Sequence, residues 1–290
     1  MAVLDRGSSR IRWFDSRVNS TREILSPDSA KRFGTIVDIS ADQSRDTLWV
    51  LAERPTTVTA VRIDGNARRR FVVPKRVRAV ERLRGGAFLW VYQESWTDDR
   101  GGVSRLPDTL AVVASRDGQP VGAVVRREQL PAELWNLPFS VPFFARALPQ
   151  AAGFALVFPA VGQALIYDDR AALVGRVRGC MPQVVAAAYQ EQLEARGDSV
   201  QAWLPLITDV TLDRAGRLHV ISNVPDSTQR RHDDVFQLNG VPLFSRYLGT
   251  RGRTFRGDVF FLGTPDTLVA VANGGIVFTA AVHDVRGQGK

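Results

Sequence analysis

Hydrophobic and polar positions alternate in short runs along most of the chain, which predicts β-strands. Five segments share one layout: an apolar strand, a turn and a second, more strongly apolar strand. Their second strands read LWVL, LWVY, ALVF, LHVI and LVAV, so the segments align as copies of one repeat. The five inner strand pairs begin at Thr35, Val77, Pro142, Ile207 and Arg256.

A second kind of strand pair follows four of these five inner pairs. Its strands alternate apolar and polar residues and carry more arginine, which predicts an outer position near solvent. The predicted turns are Asp64-Gly65, Asp117-Gly118, Asp168-Asp169 and Asn239-Gly240. Asp-Gly and Asn-Gly suit two-residue hairpin turns because Gly and Asn tolerate positive φ.

Four strands in each of several repeats of roughly 40 to 60 residues predict an all-β fold, a β-propeller of four-stranded antiparallel blades. One blade cannot bury both of its faces, and stacking around an axis buries them. We expect a single domain over residues 1–290. Residues 10–25 resemble an unaccompanied outer pair that would complete the C-terminal blade; alternatively, GIVFTAAVHDV supplies a third strand there.

One segment, MPQVVAAAYQEQLEARG, breaks the strand pattern and predicts a helical insertion near residues 182–197. Pro182 suits a helix start, and Gly197 suits the position after its end. Val185, Tyr189 and Leu193 follow at helical spacing and would form the packed face.

The amino-acid composition of the chain limits the classes of function that it can have. The net charge is +8, and lysine occurs only at Lys31, Lys75 and Lys290, so the positive charge is almost all arginine. Such charge suits nucleic acid or an anionic membrane surface, but the scattering of arginine through the strands disfavours nucleic acid. The single cysteine, Cys180, excludes an intrachain disulfide and a CxxC zinc motif.

Targeting signals are absent from the sequence as it stands. No apolar run approaches the ~20 residues that span a bilayer, and the N-terminus lacks the apolar core of a secretory signal. We therefore expect no transmembrane segment, although peripheral membrane association stays open. The compartment is cytoplasmic if this N-terminus is native.

A resemblance to a known family rests first on two segments, LDRAGRLHVIS and VFQLNGVPLFSRYLG. With ELWNLPFS and the segment after MPQVV, they resemble the NHL-like six-bladed β-propeller proteins of bacteria. The resemblance covers nearly the whole chain, and it implies six blades and a periplasmic or other extracytoplasmic location. The chain departs from the pattern in two respects: five inner pairs can be counted, and the export signal usual in such relatives is missing.

Aligned first strands place polar side chains at about the same point of successive repeats. These are Asp38, Glu81, Arg146, Asp209 and Asp258. Clustered carboxylates favour hard cations, so Asp38, Glu81, Asp209 and Asp258 form a candidate Ca²⁺ or Mg²⁺ site in the central channel. The alternative is a set of hydrophilic side chains that solvate the channel, with Arg146 neutralising part of the charge.

Other candidate residues lie outside this set. His219 lies on a second strand, and we expect either a hydrogen-bonded core histidine or a catalytic residue there. The segment TQRRHDDV is compatible with a solvated charged loop or with an acid–base pair. Long or glycine-rich loops carry the candidate interaction residues. These are Trp96, Trp135, Arg251, Arg253 and Arg256.

The sequence contains no recognisable catalytic motif, so it favours a non-enzymatic β-propeller. Such a scaffold or accessory subunit would bind another protein, within a larger or membrane-associated complex. One alternative is a metal-dependent hydrolase or lyase that acts at the central channel. Another is a binder of small ligands or carbohydrates that uses Trp96 or Trp135.

Overall fold

The structure is a computed structural model. It describes residues 2–5, 10–14, 21–41, 46–53, 55–92, 106–135, 143–148, 153–179, 206–223, 231–248, 258–262, 264–271 and 277–281. The chain divides into two compact units. One consists of Met1–Leu156 and Ile166–Val174, the other of Val157–Leu165 and Gly175–Lys290.

Three antiparallel sheets are formed by the N-terminal residues of the first unit. The first sheet contains β1 (Ala2–Asp5), β2 (Arg10–Phe14) and β3 (Thr21–Leu25). The second contains β4 (Thr35–Ala41), β5 (Thr47–Glu53), β6 (Thr57–Arg62) and β7 (Ala67–Val72). The third contains β8 (Val77–Arg82), β9 (Phe88–Tyr92), β10 (Thr109–Ala114) and β11 (Pro120–Arg126).

Three further sheets follow along the chain, each with its strands in sequential order. The fourth contains β12 (Phe144–Leu148), β13 (Gly153–Phe158), β14 (Gln163–Asp168) and β15 (Leu173–Arg178). The fifth contains β16 (Ile207–Leu212), β17 (Leu218–Asn223), β18 (Arg231–Phe236) and β19 (Pro242–Leu248). The sixth contains β20 (Asp258–Leu262), β21 (Thr264–Val271) and β22 (Val277–Ala281).

The predicted strand pairs are confirmed. All five inner pairs form as antiparallel neighbours, and all four outer pairs follow them in the same sheets. Gly65, Gly118 and Gly240 have φ of +87°, +76° and +93°, as the predicted turns require. The Asp168 turn has no glycine, and there Ala171 takes the positive φ, +61°.

The sequence allows two arrangements for the strands near the ends of the chain. β22 pairs with β21, so the alternative of a third strand close to the C-terminus is confirmed. Residues Arg10–Phe14 and Thr21–Leu25 pair with each other, and β1 adds a third strand to them. Completion of the last blade by residues 10–25, like the single domain over residues 1–290, stays a prediction.

The observed burial of the four strands in a sheet differs from the predicted burial. The third strands β6, β10 and β14 are nearly as buried as the second strands, whereas we expected solvent beside both outer strands. A third strand has a neighbour along each edge, whereas the fourth strand has one open edge. In β7, five of six residues are exposed and the remaining one is half-buried.

Aromatic packing fills the core between the second and third sheets. Trp49 lies edge-on to Phe88, with ring centroids 4.7 Å apart, and Phe71 lies 5.3 Å from Phe88. Trp90 and Leu51 belong to the same buried cluster. The described helices are short, namely α1 (Pro27–Ala30) and α2 (Ala132–Trp135). The helix predicted near 182–197 lies outside the described residues.

Candidate functional site

Polar side chains on the first strands connect neighbouring sheets. In the first unit, the backbone N–H of Val80 donates to Asp38 Oδ2 (2.8 Å), and that of Arg82 donates to Ser40 Oγ (2.9 Å). In the second unit, the backbone N–H of Phe261 donates to Asp209 Oδ2 (2.9 Å). Each carboxylate thus satisfies a backbone donor of the next sheet.

A β-bulge fixes the position of both aspartates. The ladder shifts between Ile36 and Asp38 in β4, and between Ile207 and Asp209 in β16. The residue after such an irregularity can be re-aimed relative to a regular strand, which suits a side chain that reaches another sheet. Asp38 and Asp209 therefore occupy equivalent positions, as the sequence alignment predicts.

Glu81 occupies a different register position. The same shift in β8 falls between Val77 and Ala79, so Ala79 stands where the other first strands carry Asp38 and Asp209. Glu81 lies two residues further along and accepts an ion-paired hydrogen bond from Arg146 Nη1 at 3.4 Å. Glu81 therefore stands level with Ser40 and Thr211, two residues beyond the aspartates, and this offset becomes visible only from the pairing with the second strand.

The predicted metal site stays a prediction after these observations. Within the described residues, no three His, Cys, Asp or Glu side chains cluster closely enough to hold an ion. The side chain of Asp258 is outside the described part. Arg146 supplies a positive charge beside Glu81, which opposes a cation at that carboxylate.

The fifth sheet contains a buried charged network, and it is this network that sequence reasoning missed. His219 Nδ1 lies 2.9 Å from Asp233 Oδ2, and His219 Nε2 lies 3.5 Å from Asp213 Oδ2. Arg246 Nε donates to Asp233 Oδ2 at 2.7 Å, and Arg217 Nε donates to Asp213 Oδ2 at 2.6 Å. The two carboxylates are therefore each paired with a guanidinium group.

Asp213 sits in the turn between β16 and β17 and organises it. Its Oδ1 accepts from the backbone N–H groups of Ala215 (2.9 Å) and Arg217 (2.8 Å). Burial alone would raise the pKa of Asp213, but the hydrogen bonds and charge of Arg217, with a contribution from His219, lower it below its ordinary value.

The HDD run belongs to a strand, which corrects the interpretation of TQRRHDDV as a solvated loop. Asp233 is 0% exposed and Asp234 is 1% exposed. Asp234 accepts hydrogen bonds from Ser222 Oγ and Ser245 Oγ, both at 2.6 Å. Adjacent strand residues face opposite sides of a sheet, so one aspartate serves each face.

This geometry favours a structural role for His219 over a catalytic one. The residue is 3% exposed, and its two ring nitrogens each face a carboxylate. A general base needs one nitrogen within reach of a substrate proton. The prediction of a satisfied core histidine matches these contacts.

The predicted interaction residues lie beyond what can be described. Trp96, Arg251, Arg253 and Arg256 are outside the described residues, as is Cys180. Trp135 ends α2, but its side chain is not described. Their role in binding stays a prediction.

The fourth strands carry the exposed apolar surface. Every large hydrophobic side chain that is exposed in the described residues lies on a fourth strand or in the turn before one. These are Val72, Val121, Leu173, Val174, Val241, Leu243 and Phe244. Arginine accompanies them on β7, β11, β15 and β19.

Solved structures resemble this arrangement of sheets. A putative exported protein from Bacteroides fragilis matches with a TM-score of 0.51 and 11% identity over 93% of this chain and 76% of its own. The WD40 domain of Toxoplasma gondii coronin matches with a TM-score of 0.50 and 14% identity over 91% of this chain and 58% of its own. A chain of the nidogen–laminin complex matches with a TM-score of 0.50 and 12% identity over 91% and 82%.

The chain has the β-propeller fold. At these identities the likeness establishes the fold of the propeller and nothing about its activity. No family model matches the sequence, and no curated protein matches it either. Across the described part of the propeller, no helix combines the length and apolar character needed to cross a membrane.

Proposed function

We propose that this propeller is a non-enzymatic scaffold that binds another protein through the outer strands of its sheets. One observation carries the proposal: the exposed large hydrophobic side chains of the described residues all lie on or next to fourth strands. Exposed apolar side chains that recur at the same strand position of several sheets support an interaction surface on those strands. Arginine on the same strands adds the residue type that interfaces favour.

The polar interior supports the same proposal. Asp38 and Asp209 each accept a backbone hydrogen bond from the next sheet, and His219 is enclosed by carboxylates. These groups stabilise the blades, which leaves the outer surface as the part of the described structure best suited to a partner. The similarity to a chain of the nidogen–laminin complex supports the proposal, since that chain of the same fold belongs to a protein complex. Trp96, Trp135, Arg251, Arg253 and Arg256 stay predicted contributors.

Capture from an extract of the source cells tests the proposal. One variant combines Val72→Ser, Val121→Ser, Leu173→Ser and Phe244→Ser, which removes exposed apolar side chains from four sheets. The control combines Glu128→Ser, Asp169→Ser, Arg170→Ser and Arg214→Ser, four exposed charged residues whose removal leaves the net charge unchanged.

We expect the wild type and the control to retain the same protein in a stoichiometric amount. The outer-strand variant should retain it with affinity lower by about tenfold or more. Equal retention by both variants, or no stoichiometric partner for the wild type, would overturn the proposal. Matching melting temperatures of the two variants would verify that the comparison concerns the surface rather than the fold.

A further inference from the structure

The strand β7 and the link that follows it form the most basic exposed segment of the described chain. The sequence ARRRFVVPKRVR, residues 67–78, has six basic residues and no acidic one. Arg68, Arg69 and Arg70 are exposed on the strand, and Lys75 and Arg76 are exposed on the link. We call this segment the basic edge. Its strand part, the six residues of β7, is about 20 Å long at 3.3 Å per residue.

Two arginines of the basic edge differ from Arg246 and Arg176, which lie on two other fourth strands. Arg246 on β19 donates to the buried Asp233, and Arg176 on β15 donates to Gln163 at 3.0 Å. Arg69 pairs with Asp117 of the third sheet. Arg68 and Arg70 have no ion pair within the described residues. Their charge is therefore exposed and uncompensated by any described side chain.

The backbone of β7 offers a second set of binding groups. β7 is the last strand of its sheet and pairs only with β6 among the described strands. The ladder is regular from Arg69 to Val72, after a bulge beside Ala67. Along an edge strand, alternate residues direct their N–H and C=O groups away from the sheet, where an added strand can bond to them.

The neighbouring turn packs against this edge. A Cβ at Gly118 would lie 2.4 Å from a ring carbon of Phe71, so the Asp117-Gly118 turn packs directly on β7. Gly118 also has φ of +76°, which disfavours any side chain there. A preformed edge loses little entropy on binding. Val72, 72% exposed, supplies an apolar contact beside the arginines.

We propose that the basic edge binds an acidic, extended segment of a partner protein, which adds to β7 as a fifth strand. Charge complementarity selects this occupant, because Arg68 and Arg70 repel a second copy of β7 and disfavour a neutral strand. The free backbone groups and Val72 favour a polypeptide over a nucleic acid, which would use only the arginine charge. This inference rests on the proposed scaffold function and specifies the partner's chemistry.

A peptide probe tests the inference without knowledge of the natural partner. The probe is a fluorescein-labelled ten-residue peptide that alternates Glu and Val, followed by fluorescence anisotropy. Three matched ligands accompany it: the same peptide with Lys in place of Glu, a peptide N-methylated at alternate residues, and a single-stranded DNA. The N-methylated peptide keeps the charge but loses the donors that a β-ladder needs.

The variant Arg68→Ser/Arg70→Ser removes the unpaired charge from β7. Arg126→Ser/Arg178→Ser removes the same charge from exposed positions on β11 and β15 and serves as the control. We expect the acidic peptide to bind the wild type and the control alike, and the β7 variant about tenfold more weakly. Added salt should weaken binding, and the lysine and N-methylated peptides should not bind.

Equal binding to the two double variants, or undiminished binding of the N-methylated peptide, would overturn the inference. Tighter binding of the DNA than of the acidic peptide would also overturn it and would assign the basic edge to nucleic acid. The captured partner separates this inference from the scaffold proposal. If that partner binds Arg68→Ser/Arg70→Ser normally, only the inference fails; if no partner exists, the scaffold proposal fails.

Discussion

The second and fifth sheets use the same four-strand plan but fill it with different chemistry. The second sheet packs Trp49, Leu51 and Phe71 into an aromatic and aliphatic cluster. In the fifth sheet, His219 and Asp233 are buried instead, and Arg246 forms an ion pair with Asp233 of the neighbouring strand. The fold therefore specifies strand order and spacing, while the chemistry inside each sheet varies.

The two kinds of interior should respond to substitution in different ways. Dispersion contacts depend on volume and shape, so a cluster of apolar side chains tolerates an exchange of similar size. A buried ion pair depends on each partner, because removal of one leaves the other charged and desolvated. Substitutions that keep side-chain size but change chemistry distinguish the two cases.

The largest effect is expected for Asp233→Asn in the fifth sheet. This change keeps the volume but removes the charge that Arg246 and His219 contact, and it should lower the free energy of unfolding by about 3 to 5 kcal/mol. Leu51→Met, also conservative in size, should cost less than about 1.5 kcal/mol in the apolar cluster. Urea unfolding monitored by circular dichroism gives both values.

An exposed pair provides the control for charge removal itself. Asp117→Asn breaks the contact with Arg69, where both side chains are largely exposed, and should cost no more than about 1 kcal/mol. If Asp233→Asn costs no more than Asp117→Asn, the network in the fifth sheet contributes little to stability. The contrast between the two sheets would then be only one of composition.

The same contrast shows what the sequence can predict. The apolar strands and the Asp-Gly turns are local patterns, so the strand pairs beginning at Thr35 and Ile207 are predicted correctly. The burial of Asp233 and Asp234 is not local. His, Asp and Asp in succession indicate solvent exposure by composition, and only their pairing with β17 and β19 shows that His219, Ser222 and Ser245 satisfy them.

The level of Glu81 on its strand could not be predicted for a related reason. Asp38 and Asp209 are equivalent, whereas Glu81 stands level with Ser40 and Thr211, and this level depends on cross-strand register rather than on residue type. The inter-sheet hydrogen bonds of these aspartates could not be predicted, because they join residues that are 42 and 52 positions apart.

An intermediate effect is expected where the two units use the same contact. Asp38→Ala and Asp209→Ala should each lower the free energy of unfolding by about 1 to 3 kcal/mol, because a partly buried backbone N–H of the next sheet loses its acceptor. Asparagine keeps an acceptor oxygen, so Asp38→Asn and Asp209→Asn should recover most of the loss. Urea unfolding of the four variants measures this.

Equal losses of stability in the Ala and Asn variants would contradict the hydrogen-bond role of these aspartates. They would indicate that the negative charge of the aspartates stabilises the fold. The predicted metal site gives a separate reason for charge to matter. Melting temperatures with and without Ca²⁺ or Mg²⁺ separate the two, because an ion bound to the native state raises the melting temperature of the wild type. Such a rise should disappear in Asp38→Asn and Asp209→Asn.

The smallest effect concerns acid stability at Asp213. Its pKa is lowered from 3.8, so in the folded state the carboxylate binds a proton less readily than in the unfolded chain. Its contribution is therefore fully present above the unfolded value and is lost as the pH falls through the folded pKa. We expect the difference in melting temperature between the wild type and Asp213→Asn to shrink as the pH falls below the ordinary pKa of an aspartate.

Asp168 is the matched control, because it organises an equivalent turn. Asp168 Oδ1 accepts from the backbone N–H groups of Arg170 (2.9 Å) and Ala172 (2.8 Å), as Asp213 does from Ala215 and Arg217. The effect of Asp168→Asn on the melting temperature therefore measures the contribution of the turn hydrogen bonds alone. The excess effect of Asp213→Asn measures the side-chain contacts with Arg217 and His219, and equal effects at every pH would show that those contacts do not stabilise the fifth sheet.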